Sequence, residues 1–146
     1  MNTNITFDEQ YHLLTGRIFM VVTRFLNQHF KNSGIDITKE QWTVLAVLWK
    51  KDGVSQQTIA DETGRDKPST TRLLDNLEKL GYIERRADLS DRRVNTIYLT
   101  KQGKQSEKKI MKAVDDTFAK LTADVSNKEK ETVRKVFNTI YKNIEK

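Results

Sequence analysis

The sequence predicts a mostly α-helical fold with one small β-hairpin, and three observations predict it. Helix-capping residues and terminal glycines recur in the order that capping physics requires. Apolar residues return at steps of three and four through most of the length. After Gly81 that periodicity gives way to β-prone, partly alternating segments. The 146 residues read as a single domain, long enough to bury a core without disulfide or metal staples.

Thr6 with Glu9 forms a capping box that opens a first helix, which the sequence runs to Gly34. Phe7, Tyr11, Leu14, Ile18, Val21 and Phe25 line one face of it, and Leu13, Phe19, Met20, Val22 and Leu26 widen that face. So broad an apolar stripe needs two surfaces to cover it, one of them on another subunit. Thr38 with Gln41 is a second capping box. Ile37 staples onto Trp42, and the helix runs to about Lys51 with Gly53 as its terminator.

Ser55 caps a short third helix, with Val54 and Ile59 as its staple and Gly64 at its end. Asp66 or Lys67 begins a fourth helix. Pro68 presets φ in its first turn, Gly81 closes it, and Thr70, Leu73, Leu74, Leu77 and Leu80 form its inner face. The β-prone runs YIERR and VNTIYL flank a polar stretch at 87–93, which makes a hairpin with a charged tip. Thr100 starts a fifth helix with Ile110, Val114, Phe118 or Thr117, Leu121 and Val125 on its face. Ser126 with Glu129 opens a last helix bearing Val133, Val136, Phe137, Ile140, Tyr141 and Ile144.

Helix, short helix, turn, helix and hairpin in this order is a winged helix-turn-helix arrangement, whose physical logic is insertion into a DNA groove. A helix read in the major groove must be apolar inside and polar outside. The outward set of the fourth helix is Lys67, Ser69, Thr71, Arg72, Asn76 and Lys79, side chains able to bond base edges and phosphates, with Asp75 the one awkward acid. At the hairpin tip Asp91, Arg92 and Arg93 put two guanidiniums on a projection, and such an arginine suits the negative potential of a narrow minor groove.

The run DKPSTTRLLDNLEKLGYIERRADLSDRRVNTIYLT resembles the core of MarR-family regulators. The TRLLDNLEKLGYIERR block, the Asp91-x-Arg93 signature and the Leu99-Thr100-x-x-Gly103 step occur in the family's order and spacing, and the likeness extends over essentially the whole chain. It implies one domain over 1–146, with a winged helix core at about 38–100 flanked by dimerisation helices at about 6–33 and 101–145. It further implies that Lys67, Ser69, Thr71 and Arg72 read the major groove and that Arg93 enters the minor groove. Asp91 would hold that arginine or the wing, and Arg92 would contact phosphate. The resemblance also implies a homodimer on double-stranded DNA at a pseudo-palindromic promoter site, usually as a repressor, released in many members by a small aromatic ligand. Tyr11, Arg17 and Trp42 are the candidate walls of such a pocket.

Composition excludes several other functions. The chain has no cysteine, which removes disulfides, thiolate metal sites, cysteine nucleophiles and direct thiol sensing. His12 and His29 both fall in the predicted first helix, too few for a zinc site, so no metal or cofactor is expected. No glycine-rich phosphate loop or acid–base constellation argues for an enzyme. No signal peptide or membrane-length apolar run is visible, so no membrane partner is expected and the expected location is cytoplasmic.

The net charge of +6 favours a polyanionic partner, but it divides as −1 over 1–64, +2 over 65–100 and +5 over 101–146. DNA recognition must therefore depend on a few placed cations more than on bulk charge. A rival reading is a winged-helix protein-interaction module. Acids or bulky apolar groups on the outer face of the fourth helix would mark it, and only Asp75 points that way. Trp42 and Trp49, seven apart, read as core before ligand cage, and the lysine-rich 101–112 reads as a solvated face.

Overall fold

The computed structural model describes residues 4–145. Among the described residues, eight helices and three short strands follow one another in the order α1 (Phe7–Thr15), α2 (Arg17–Asn32), α3 (Lys39–Lys50), β1 (Val54–Ser55), α4 (Gln56–Thr63), α5 (Lys67–Lys79), β2 (Ile83–Ala87), β3 (Asn95–Leu99), α6 (Lys101–Gln105), α7 (Glu107–Leu121) and α8 (Asn127–Ile144). Mostly helical with a small antiparallel sheet, it is a winged helix fold.

The capping boxes at Thr6, Thr38 and Ser126 form as expected, each side chain accepting a backbone N–H three residues on while the Glu or Gln there reaches back. The core gathers one apolar face from each central element: Leu26 and Phe30 of α2, Val44, Leu45 and Leu48 of α3, Ile59 of α4, Leu74 and Leu77 of α5, Ile83, Ile97 and Leu99 of the sheet, and Ile110 and Val114 of α7. Burying each such side chain contributes about 1.5–3 kcal/mol relative to leaving it in water. The indoles sit at the core margin, where Trp49 donates its Nε1–H to the Gly103 carbonyl at 3.1 Å and Trp42 approaches the Met111 sulfur at 3.4 Å.

Three expectations need correction. The first helix is two, because Gly16 adopts φ 64°, ψ 26° and serves as C-cap of α1 and N-cap of α2. A left-handed residue cannot continue a right-handed helix, and glycine enters that region without a Cβ penalty. The two histidines consequently stand on different helices. Second, α3 ends at Lys50, within a residue of expectation, with Gly53 left-handed in the turn beyond, but the segment after it is a strand. Val54, expected as a helix staple, instead forms β1 and pairs with Ile97, so the hairpin is the major part of a three-stranded sheet ordered β1-β3-β2. A two-residue strand is too short to carry an alternation signal.

Third, the fifth helix divides at Ser106 into α6 and α7, and α7 turns Thr117 inward with Phe118 exposed and Val125 beyond its end. The core-facing row of α7 is thus Ile110, Ala113, Val114 and Thr117, a run of i, i+3, i+4 and i+7.

The flanking helices are the least covered part of the chain. Neither α1 nor α8 contains a buried residue, and large apolar side chains stand exposed on α1, α2 and α8, among them Leu14 at 87%, Ile18 at 70% and Phe137 at 53%. Helices of this length draw their stability from packing an apolar face, so these faces are surfaces awaiting cover.

Candidate nucleic-acid interface

The fourth helix of the sequence reading is α5, and its first turn is built by Asp66. The Asp66 carboxylate accepts the Ser69 N–H at 2.8 Å, and that bond holds its carboxyl below the usual carboxylate range. Thr70, Leu74 and Leu77 are fully buried, which turns the opposite side outward. Lys67, Arg72, Asn76 and Lys79 are exposed, and Ser69 and Thr71 are partly so.

The outward residues occupy two stripes. Lys67, Thr71 and Asp75, four apart, border a cleft of about 650 Å³ whose other walls are Gln56 and Gln57 of α4 and Arg85, Arg93 and Asn95 of the sheet and wing. Arg72, Asn76 and Lys79 do not line that cleft and face solvent around the helix from it.

The wing is ordered by its own acids. Asp88 Oδ1 accepts from the Ser90 N–H at 2.7 Å, the Ser90 hydroxyl at 2.5 Å and the Asp91 N–H at 3.2 Å, which shapes the turn. Asp91 receives Arg93 through three hydrogen bonds: its Oδ1 accepts the backbone N–H at 3.0 Å and Nε–H at 3.1 Å, and its Oδ2 accepts Nη2–H at 3.3 Å. The Arg93 side chain remains 90% exposed. Hydrogen bonds from Ser90 and Arg93 respectively hold the Asp88 and Asp91 carboxyls below their ordinary range. Both bond sets therefore persist through neutral pH and are lost only as pH falls through those lowered values. Arg92 is exposed beside them.

Other contributors were not legible in sequence. Gln56 Nε2 donates to the Thr71 hydroxyl at 2.7 Å, fixing one groove-side residue from a neighbouring helix. Arg65 donates to the Thr43 hydroxyl at 2.8 Å, which fixes its side chain against α3. Asp75, the awkward acid, is paired with Arg85 at 2.7 Å. Each partner lies ten or more residues away, beyond the reach of helical periodicity. The nearest available signal was the polar Ser-Gln-Gln start of α4.

The proposed ligand walls are not brought together. Trp42 borders an open groove with Phe19, Lys39, Glu62, Arg65 and Tyr141, whereas Tyr11 and Arg17 do not line it. Tyr11 lies on α1 against Phe7 and His12, and Arg17 sits just past the Gly16 break that carries α1 away. Among the described residues no group of three or more His, Cys, Asp or Glu is placed to hold a metal ion, and no helix is long and apolar enough to cross a membrane.

Comparison with known proteins places this geometry. Residues 37–94 match the family model described as MarR family. The transcriptional regulator HosA of Escherichia coli is 26% identical over 133 residues, covering 86% of this chain and 98% of its own. A MarR transcriptional regulator from Methanosarcina mazei Go1 superposes with a TM-score of 0.81 at 21% identity, covering 92% of this chain and 96% of that one. Reduced AbfR bound to DNA superposes at 0.75 with 21% identity, covering 94% and 92%. At those identities the two structures speak for the fold.

Proposed function

We propose that this chain, whose residues 37–94 match the MarR family model, is a transcriptional regulator that acts as a homodimeric repressor at a pseudo-palindromic promoter site. Each protomer lays α5 in a major groove, with Lys67, Ser69, Thr71 and Arg72 toward the bases and Asn76 and Lys79 toward the backbone. Arg93, held by Asp91, enters the adjacent minor groove, and Arg92 meets phosphate. Two reading heads about 34 Å apart match one turn of B-DNA, which is why a dimer is needed. The observation that carries this reading is the shared cleft: Lys67 and Thr71 of α5 and Arg93 of the wing border one opening, so a duplex can engage both at once.

A protein-interaction module would carry unpaired acids or bulky apolar groups on the outer face of α5, whereas its two acids there, Asp75 and Glu78, are half exposed and each paired with Arg85. An aromatic effector would enter the Trp42 groove, where Phe19 and Tyr141 supply ring faces and Lys39 and Arg65 supply cations for an acidic substituent.

Selection of bound duplex from a random pool, repeated with aromatic carboxylic acids, tests the whole reading by reporting site symmetry and ligand response together. Against the selected operator, Arg72→Ala is expected to relax base preference at one position per half-site, at a cost of about 1–3 kcal/mol. Arg93→Ala is expected to weaken all sequences and lower the salt slope by about one per half-site. If the full-length protein at moderate salt bound its selected site no better than random duplex, the reading fails.

A further inference from the structure

Arg85 stands where strand alternation calls for an apolar side chain. It lies two residues from buried Ile83, on the same face of β2, and pairs across the ladder with fully buried Ile97. That face packs beneath α5, so a long side chain leaving it emerges under the helix's outer edge. There Nη2 lies 2.7 Å from Asp75 Oδ1 and also donates to the Thr71 carbonyl at 3.3 Å, and Nη1 donates to Glu78 Oε1 at 3.1 Å. The Arg85 backbone N–H donates to Glu78 Oε2 at 3.2 Å, and the side chain is only 17% exposed. The cleft that Lys67, Thr71 and Arg93 border is walled by Arg85 and Asp75 as well.

We propose that Arg85 is a positioning residue for DNA recognition that screens Asp75 and Glu78 from the phosphate backbone and sets α5 against the wing; this rests on the DNA-binding reading above. The outer surface of α5 carries Lys67, Arg72 and Lys79 against these two carboxylates. An uncovered carboxylate facing a duplex repels the phosphates, and its repulsion subtracts from the few cations that recognition depends on. A planar fork with five donors satisfies two carboxylates and a carbonyl together, which a lysine ammonium cannot do in one fixed geometry. The acids supply two anchor points for the wing's root, and the arginine offsets one of the two negative charges those anchors bring.

Equilibrium binding of the full-length protein to its selected operator and to random duplex, across a salt series and beside thermal unfolding, tests this. Arg85→Met is expected to weaken binding to both duplexes about tenfold or more at moderate salt, because two bare acids then face DNA. Adding Asp75→Asn and Glu78→Gln to that variant is expected to restore random-duplex binding to within about threefold of wild type, since no bare acid remains. A purely mechanical clamp is absent from both variants, so a triple variant that binds no better than Arg85→Met overturns the proposal. So does an Arg85→Met protein that binds like wild type. Should methionine prevent folding, Arg85→Lys with and without the two neutralised acids carries the same comparison. Wild-type protein that bound neither duplex would overturn the DNA-binding reading, and the role of Arg85 with it.

Discussion

Charging the exposed face of α8 with Val136→Asp and Ile140→Asp is expected to yield a folded monomer that has lost about 10²- to 10⁴-fold in operator affinity. Both side chains are roughly half exposed in the single chain, and α8 contributes no buried residue to the core, so the substitutions leave intramolecular packing intact. In the dimer proposed above the same positions would form an apolar seam, and aspartates there would bury unpaired charge on both protomers. Affinity then falls because a second head tethered to the first binds as an intramolecular event, and a monomer forfeits that effective concentration. Sedimentation or light scattering reads the mass, circular dichroism the fold, and titration with half-site and full-site duplex the affinity. A variant that stayed dimeric, or a monomer that kept full-site affinity, would remove the terminal helices from the interface.

Replacing Gly103 by alanine is expected to destabilise the fold by about 3 kcal/mol or more, lowering the melting temperature by about 6–12 °C for a chain of this size. A Cβ at this buried helical position would stand 2.1 Å from the Tyr82 backbone oxygen and 3.1 Å from Leu99 Cδ2. The clash is with backbone, which cannot swing aside as a side-chain tip can. The same Tyr82 oxygen accepts the Thr100 N–H at 3.0 Å, and the Gly103 carbonyl accepts the Trp49 indole N–H, so any relief displaces the wing's root or the end of α3. Thermal unfolding followed by circular dichroism measures the loss. A melting temperature within about 2 °C of wild type would mean that α6 can shift at little cost.

Gly103 also illustrates how far a sequence can be read. Its place in the Leu99-Thr100-x-x-Gly103 step was visible, and Thr100 does accept the Gly103 N–H as an N-cap, but the reason for a glycine was not. That reason is Tyr82, twenty-one residues back, whose carbonyl leaves no room for a Cβ. The inner face of α5 and the outward set from Lys67 to Lys79 were legible because they depend only on a 3.6-residue period and on the Asp66 cap. The Asp91–Arg93 pair was legible for a similar reason, since the two residues are neighbours on one turn.

The candidate ligand walls fared differently. Tyr11 and Arg17 do not border the groove that Trp42 lines, and the left-handed Gly16 stands between them at the α1–α2 junction. A glycine within a periodic run is compatible with a continuing helix, so its local chemistry alone did not demand the break.

The sequence by itself determined the capped helix starts at Thr6, Thr38, Ser55, Asp66, Thr100 and Ser126, the inward face of α5 and the order of helix, helix and wing, because capping bonds span three residues and amphipathic periods span four. Only the tertiary structure decided that Val54 pairs with Ile97, that Gln56 holds Thr71 and that Arg85 bridges Asp75 and Glu78. Those contacts join segments 7 to 43 residues apart. Which distant groups meet depends on how packed elements cross, and no local hydrogen bond or hydrophobic period carries that information.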